Sequence, residues 1–314
     1  MLKRGAWVGW FGIVCTFVAI ASGVRAQSKT SVLFIGNSFT FGAGTPVLPY
    51  RNASVTDLNN EHVGGVPALF KAFTVQAGLS VDVSVETHPG VGFEFHLSER
   101  QGVLSSRTWD KVVMQGQSMI DNDKPGDPTK LIATSRQLAD FLRSRNPKTE
   151  LYLVATWSRA DQTYPPKGAW FGKPIETMAR DVRAGYDQAA KGAAIRTVIP
   201  VGEAWTRAMK TGVADPNPYD GIDAGKIDLW GADHYHASTA GYYLEALVVF
   251  GSLTSRDPRS LGSSECTAYE LGLDAAQVKA LQQVAFDELN ATRAVTPAPS
   301  TSSTPASPQR CPAL

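Results

Sequence analysis

Short apolar runs alternate with amphipathic stretches along this chain, and that alternation constrains the fold more than any single motif. Val32 to Ile35, Leu79 to Val85, Val112 to Met114, Leu151 to Ala155 and Arg196 to Val201 have the length and apolar content of strands. The second of these alternates strictly and is the clearest. Pro67 to Ala77, Pro128 to Arg145, Ile175 to Ala190 and Glu203 to Lys210 read as helices. A parallel strand pair needs a long crossover, usually a helix. The expected fold is therefore α/β: a doubly wound parallel sheet flanked by helices, a flavodoxin-like three-layer sandwich.

Open sheets of this kind bind ligands outside the carboxyl ends of their strands. The residues that follow each strand are thus the first candidates for chemistry. The first strand runs into Gly36-Asn37-Ser38. Glycine accepts a sharp turn, and Ser38 is then presented at the sheet edge. Taken alone, the three residues fit a turn or helix-cap serine better than a nucleophile. The second strand leads to His88 through His96, where Gly90 and Gly92 let the backbone approach a ligand. The third ends in Gln115-Gly116-Gln117-Ser118, whose amides can donate to a developing oxyanion. The fourth ends in Thr156 to Ala160. Trp157 is expected to wall a substrate pocket, with a core position as the plainer reading. Asn37 is the other expected substrate contact. Thr40 to Val63 reads as a long loop behind the serine turn, and Asp161 to Lys173 as an aromatic-rich surface loop.

The second constellation lies far along the chain, in Gly231 to Leu244. Asp233 and His236 are three residues apart, close enough for one turn to hold both side chains together. The aspartate can then accept from one imidazole nitrogen while the other faces Ser38, as general-base activation of a serine requires. Two alternatives stand beside this. Asp233, His234 and His236 also offer ligands to a divalent metal, and Asp228 is a second candidate acid. From Thr239 an apolar helix follows.

Together the two stretches resemble the first and last blocks of the SGNH hydrolase superfamily, also called GDSL-type esterases. The wording of Phe34 to Thr40, and His236-Ala-Ser-x-x-Gly-x-Tyr-Leu244, is similar to the branch with Gly-Asn-Ser in its first block. The resemblance spans Ser31 to about Leu253. It implies that Ser38 is the nucleophile and, through its N–H, an oxyanion donor, that His236 is the base, and that Asp233 is its partner. Gly90, with Gly92 as alternative, matches the second-block glycine. The family's third block reads Gly-x-Asn. Here Gln115-Gly116-Gln117 stands in its place, so Gln117 takes the asparagine's position with a longer amide, and Gln115 is the alternative donor. The implied reaction is acyl transfer to water, with no metal or organic cofactor. The implied partner is a small-molecule or glycan ester, an acetylated carbohydrate first. A lipase, lysophospholipase or thioesterase on the same scaffold, or a non-catalytic carbohydrate-binding protein, are the alternatives.

The chain ends carry other information. Lys3 and Arg4 precede an uncharged stretch from Gly5 to Val24, and Val24-Arg25-Ala26 ends as a signal-peptidase site does. Residues 1–26 are expected to be a cleaved signal, with an uncleaved anchor as the alternative, and the mature protein to be secreted or periplasmic. Beyond residue 26 the chain holds 27 basic and 29 acidic side chains, net −2. That is no footprint for nucleic acid or an anionic membrane, so neither is an expected partner. Residues 27–293 are expected to form the catalytic domain. The Pro-, Ser- and Thr-rich residues 294–314 are expected to be a disordered tail. Cys266 and Cys311 either form one disulfide, as an oxidising compartment permits, or stay free thiols.

Overall fold

A computed structural model describes residues 1–3, 5, 29–297 and 311. The expected signal and most of the expected tail lie outside the described residues. Six parallel strands are present: β1 (Thr30–Gly36), β2 (Thr56–Asp57), β3 (Val81–Thr87), β4 (Lys111–Met114), β5 (Glu150–Ala155) and β6 (Thr197–Pro200). The helices are α1 (Ser38–Phe41), α2 (Gly65–Gln76), α3 (Phe93–Glu99), α4 (Gln101–Leu104), α5 (Thr129–Arg145), α6 (Ala160–Thr163), α7 (Glu176–Gly192), α8 (Val201–Lys210), α9 (Thr239–Thr254), α10 (Cys266–Glu270) and α11 (Ala275–Ala291).

The period-two geometry of β1 explains the layers. Val32 and Phe34 join one apolar cluster with α2, α8, α9 and α11, whereas Leu33 and Ile35 join the other with α3, α4, α5 and α7. Both faces are covered, as a parallel sheet requires. The expected doubly wound fold is the one observed. α9 is buried on nearly every side and lies against α2, α8 and α11, which is why its sequence is apolar all round.

The strand order is β2-β3-β1-β4-β5-β6. From β1 the chain first adds strands on one side and then, with β4, on the other. The order therefore reverses between β1 and β4, and a ligand crevice belongs at their carboxyl ends. Ser38 follows β1 directly, and Gln115 to Ser118 follow β4.

Three local features differ from the sequence reading. The 40–63 loop contains β2, a two-residue edge strand paired with Ser84 and Val85. The His88–His96 stretch is half helix, because α3 begins at Phe93 with buried Gly92 as its N-cap. At the far end, α11 is capped by Asp274 in a capping box with Gln277, but order continues past it. Val295 is buried in the core, and Thr296 N–H donates to Ser255 O. Cys311 is also buried and bonded to Cys266. Glu270, in the helix that Cys266 begins, accepts from the Tyr50 hydroxyl at 2.7 Å and the Arg51 guanidinium at 2.8 and 2.7 Å. The bridge thus fastens the chain's end to the loop behind the serine turn. Among the described residues, no helix is long and apolar enough to cross a membrane.

Candidate active site

The serine turn is built by close approach. A Cβ on Gly36 would lie 2.1 Å from Thr40 Oγ1 and 3.0 Å from Gln115 Oε1, so only glycine fits there. Gln115 is buried, and its Oε1 accepts from the Asn37 N–H at 3.1 Å and the Thr40 hydroxyl at 3.0 Å. Its Nε2 donates to Gly116 O. The Oε1 of that amide holds the serine turn, and its Nε2 ties it to the neighbouring Gly116 carbonyl.

Asn37 caps α1, with its Oδ1 accepting from Phe39 N–H at 3.2 Å. Its Nδ2 donates to Val91 O at 2.9 Å and Gly116 O at 3.1 Å. One side chain thus clamps together the exits of β1, β3 and β4. This corrects the expectation of a substrate contact: Asn37 is 3% exposed and both its amide hydrogens have protein acceptors. Ser38 follows at the first position of α1. Its N–H is one of those at a helix start with no partner in its own helix. Its carbonyl accepts from the Tyr242 hydroxyl, on α9, at 3.1 Å.

His236, the expected base, is carried on the loop that precedes α9. Gly231 N–H donates to His236 O at 2.8 Å, and Trp230 pairs with Ala237 as an antiparallel bridge. Within this tight loop Asp233 Oδ1 accepts from Tyr235 N–H at 3.0 Å and His236 N–H at 2.9 Å. Its Oδ2 lies 2.6 Å from His236 Nδ1. Burial works against the Asp233 charge. The His236 ring and the two N–H donors together outweigh it and hold the carboxyl below the usual carboxylate range. A carboxylate at Nδ1 places the proton there and leaves Nε2 as the acceptor. His236 Nε2 is buried and has no hydrogen-bond partner among the described residues. The imidazole lies 5.6 Å from the ring of Phe39, next in sequence to Ser38. The His236 ring thus lies against the helix that Ser38 begins, with no Ser38–His236 hydrogen bond among the described residues. Such a bond commonly tightens only when substrate binds.

The other acid candidate plays a different part. Asp228 accepts from Trp230 N–H at 3.0 Å, and its carbonyl accepts from the Ser238 hydroxyl at 2.8 Å. Burial raises its carboxyl above the ordinary value. It braces the root of the loop. His234 has a left-handed backbone (φ 53°), and its ring packs 4.4 Å from that of Tyr219. Among the described residues, no three His, Cys, Asp or Glu side chains are grouped so as to hold a metal ion.

Trp157 is the second correction. It is fully buried, stacked between Phe39 at 4.4 Å and Trp205 at 4.5 Å, and cannot wall a pocket. Its Nε1 donates to Tyr235 O at 3.3 Å, so it supports the base loop from below. Three neighbours do the same: Asp161 N–H donates to His234 O, Trp230 Nε1 donates to Ser158 O, and the Arg159 guanidinium lies 3.6 Å from the Tyr235 ring centroid. Tyr235 in turn packs 4.0 Å from the His236 ring. Arg159 is buried and held by Asp161 at 2.9 and 2.6 Å. Sequence reading missed it. The only signal was its position at the carboxyl end of a strand.

The remaining expected donors lie on the same edge. Gly90 is exposed, with φ 73°, in the turn after β3. That turn is tied to the serine turn by His88 N–H to Gly36 O at 3.2 Å and by the Asn37–Val91 bond. Beside it, His96 and Glu86 form a fully buried pair, with Arg100 at 3.5 Å from Glu86. Gln117 is half-buried and its Oε1 accepts from Asn122 N–H at 3.2 Å, while its Nε2 has no protein acceptor among the described residues.

No protein-family model matches the sequence, and no curated protein matches it. Solved structures do. A DUF4886 family protein from Bacteroides uniformis is similar over 86% of this chain and 98% of its own, at 19% identity and a TM-score of 0.58. A variant of an acetyl-xylooligosaccharide esterase from Geobacillus is similar over 72% and 95%, at 16% identity and TM-score 0.49. A lipase/acylhydrolase from Enterococcus faecalis is similar over 70% and 93%, at 16% identity and TM-score 0.45. At these identities the likeness is one of fold. The chain thus shares the three-layer parallel α/β fold of the DUF4886 family protein, with Ser38 directly after β1 and the Asp233–His236 pair on the loop before α9.

Proposed function

We propose that this protein is a serine ester hydrolase that removes a short acyl group, acetyl foremost, from a carbohydrate. The observation that carries the reading is the Asp233-held imidazole, its Nε2 unpartnered, packed beside the serine turn. His236 takes the Ser38 proton as Oγ attacks the ester carbonyl, then returns it to the leaving alkoxide. Water repeats the sequence on the acyl-enzyme, and the acid is released. Asp233 holds the tautomer and stabilises the imidazolium. The N–H groups of Ser38 and Gly90 and the Gln117 amide receive the oxyanion. Each such donor is typically worth about 3 kcal/mol of transition-state stabilisation. Every step is completed by side chains and water. We further propose that residues 1–26 are an export signal, so that the enzyme acts outside the cytoplasm.

The test is p-nitrophenyl acetate hydrolysis by residues 27–314, with and without a chelator, beside Ser38→Ala. Chelator-resistant activity that disappears in Ser38→Ala is the expected result. Activity that survives Ser38→Ala and dies with chelator refutes the triad.

A further inference from the structure

One group of aromatic side chains is not used by the reaction above. Tyr219 is 46% exposed, an unusual position for so large a ring. It is not a dangling loop residue. Asp215 accepts from Asn217 N–H at 2.9 Å and Asp223 N–H at 3.0 Å, and Asn217 Oδ1 accepts from Tyr219 N–H at 3.1 Å. The ring packs on His234 at 4.4 Å and on Tyr164 at 5.9 Å. Tyr164 is itself fixed, its hydroxyl donating to Pro216 O at 2.7 Å.

This fixed, half-open aromatic face adjoins the base. His234 is two residues from His236, and two residues of chain span at most about 7 Å. The polar groups nearby are mostly acceptors. Asp161 is bonded to His234 O through its N–H; its carboxylate, 22% exposed, is already paired with Arg159 and accepts from Gln162 Nε2 at 2.9 Å. Asp220 accepts from Asn217 Nδ2 at 2.7 Å and is exposed. The His234 ring is inclined to that of Tyr219 by 49°, so Tyr219 offers the open face and His234 a wall beside it. An aromatic face with acceptors at its edge suits a sugar ring, which offers C–H groups on one face and hydroxyl donors at its edge. An acyl chain gains nothing from the exposed Asp220 carboxylate, and a phosphate is repelled by it.

We infer that Tyr219 and His234 form a saccharide platform, holding a neutral pyranose of the alcohol portion next to the ester carried to Ser38. The inference rests on the hydrolase reading and names the side of the substrate that this surface takes.

The test compares wild type, Tyr219→Ala and Tyr219→Phe on O-acetylated xylotriose and cellotriose, on ethyl acetate, which has no ring to stack, and on p-nitrophenyl octanoate. Tyr219→Ala is expected to lower the saccharide-to-ethyl-acetate ratio of kcat/KM roughly tenfold, through KM, and Tyr219→Phe to retain it. An unchanged ratio in Tyr219→Ala overturns the platform. So does a wild type with no preference for the saccharide esters, or an equal loss on the octanoate ester. Calorimetry of xylotriose and cellotriose with Ser38→Ala, with and without Tyr219→Ala, separates the two readings. If no protein hydrolyses any ester, Tyr219-dependent binding preserves the platform while the hydrolase reading falls, and absence of binding removes both.

Discussion

Asn37→Asp separates a clamp from a substrate contact, because the two side chains have nearly the same shape. The new carboxylate can still accept from Phe39 N–H, so the cap of α1 survives. What is lost is the pair of bonds from Nδ2 to Val91 O and Gly116 O, now replaced by an oxygen facing two carbonyl oxygens at 2.9 and 3.1 Å. A buried acceptor left without its donor costs about 1–3 kcal/mol. Gly116 O keeps its bond from Gln115 Nε2 and Val91 O is only part-buried, so the loss amounts to about 1–3 kcal/mol at neutral pH, a sizeable share of a domain's typical 5–15 kcal/mol. Burial and the missing donors raise the folded-state pKa of the new carboxyl above its unfolded value. The folded state then binds the extra proton, and stability falls as pH rises from the unfolded pKa, about 3.9, through the raised folded one. The assay is urea unfolding followed by circular dichroism at pH 5 and pH 7.5, with kcat/KM measured at the same points. A variant as stable as wild type but with a raised KM would refute the clamp and restore Asn37 to the substrate. A variant more stable at pH 7.5 than at pH 5, relative to wild type, would refute the electrostatic argument.

Three further perturbations test other parts of the site. Trp157→Phe leaves a gap between Phe39 and Trp205 and is expected to cost about 1–3 kcal/mol in urea unfolding while leaving KM for p-nitrophenyl acetate unchanged; a KM effect without a stability loss would reinstate it as a pocket wall. Arg159→Lys keeps the charge but loses the planar fork that spans Asp161 and covers Tyr235. Steady-state kinetics should show kcat down roughly tenfold with little change in KM, since about 1.4 kcal/mol of lost orientation is a factor of ten, and an unaltered kcat counts against its support of the base loop. Cys311→Ser opens a bridge with sequence separation 45, and loop entropy gives about 4 kcal/mol as the upper end of a 2–4 kcal/mol loss; an unfolding midpoint indifferent to reductant would contradict this.

The sheet was legible because each strand is a short apolar run and each crossover helix has an apolar stripe; period alone carries that information. β2 was not, since two residues show no period and Thr56–Asp57 gain their strand geometry from pairing with β3. The base loop was legible through Asp233 and His236, whose spacing is local. The two substrate assignments failed for a common reason. Asn37 and Trp157 sit at strand ends, where sequence places binding groups, but what each side chain touches depends on residues 54 and 78 positions away, Val91 and Tyr235. Arg159 went unread for the same reason, its role resting on a ring that reaches it only through the fold.

The bond from the Tyr242 hydroxyl to the Ser38 carbonyl joins the second segment of the domain to one of its last helices across 204 residues. A chain emerging from synthesis carries Ser38 almost at once but has neither its brace nor its base until α9 has been made and packed. Contacts at such separation are among the last to become favourable, because the whole intervening chain must be ordered first. On the proposed mechanism the serine is therefore inert in any product that stops short of α9, and turnover reports on molecules whose two distant segments have packed together.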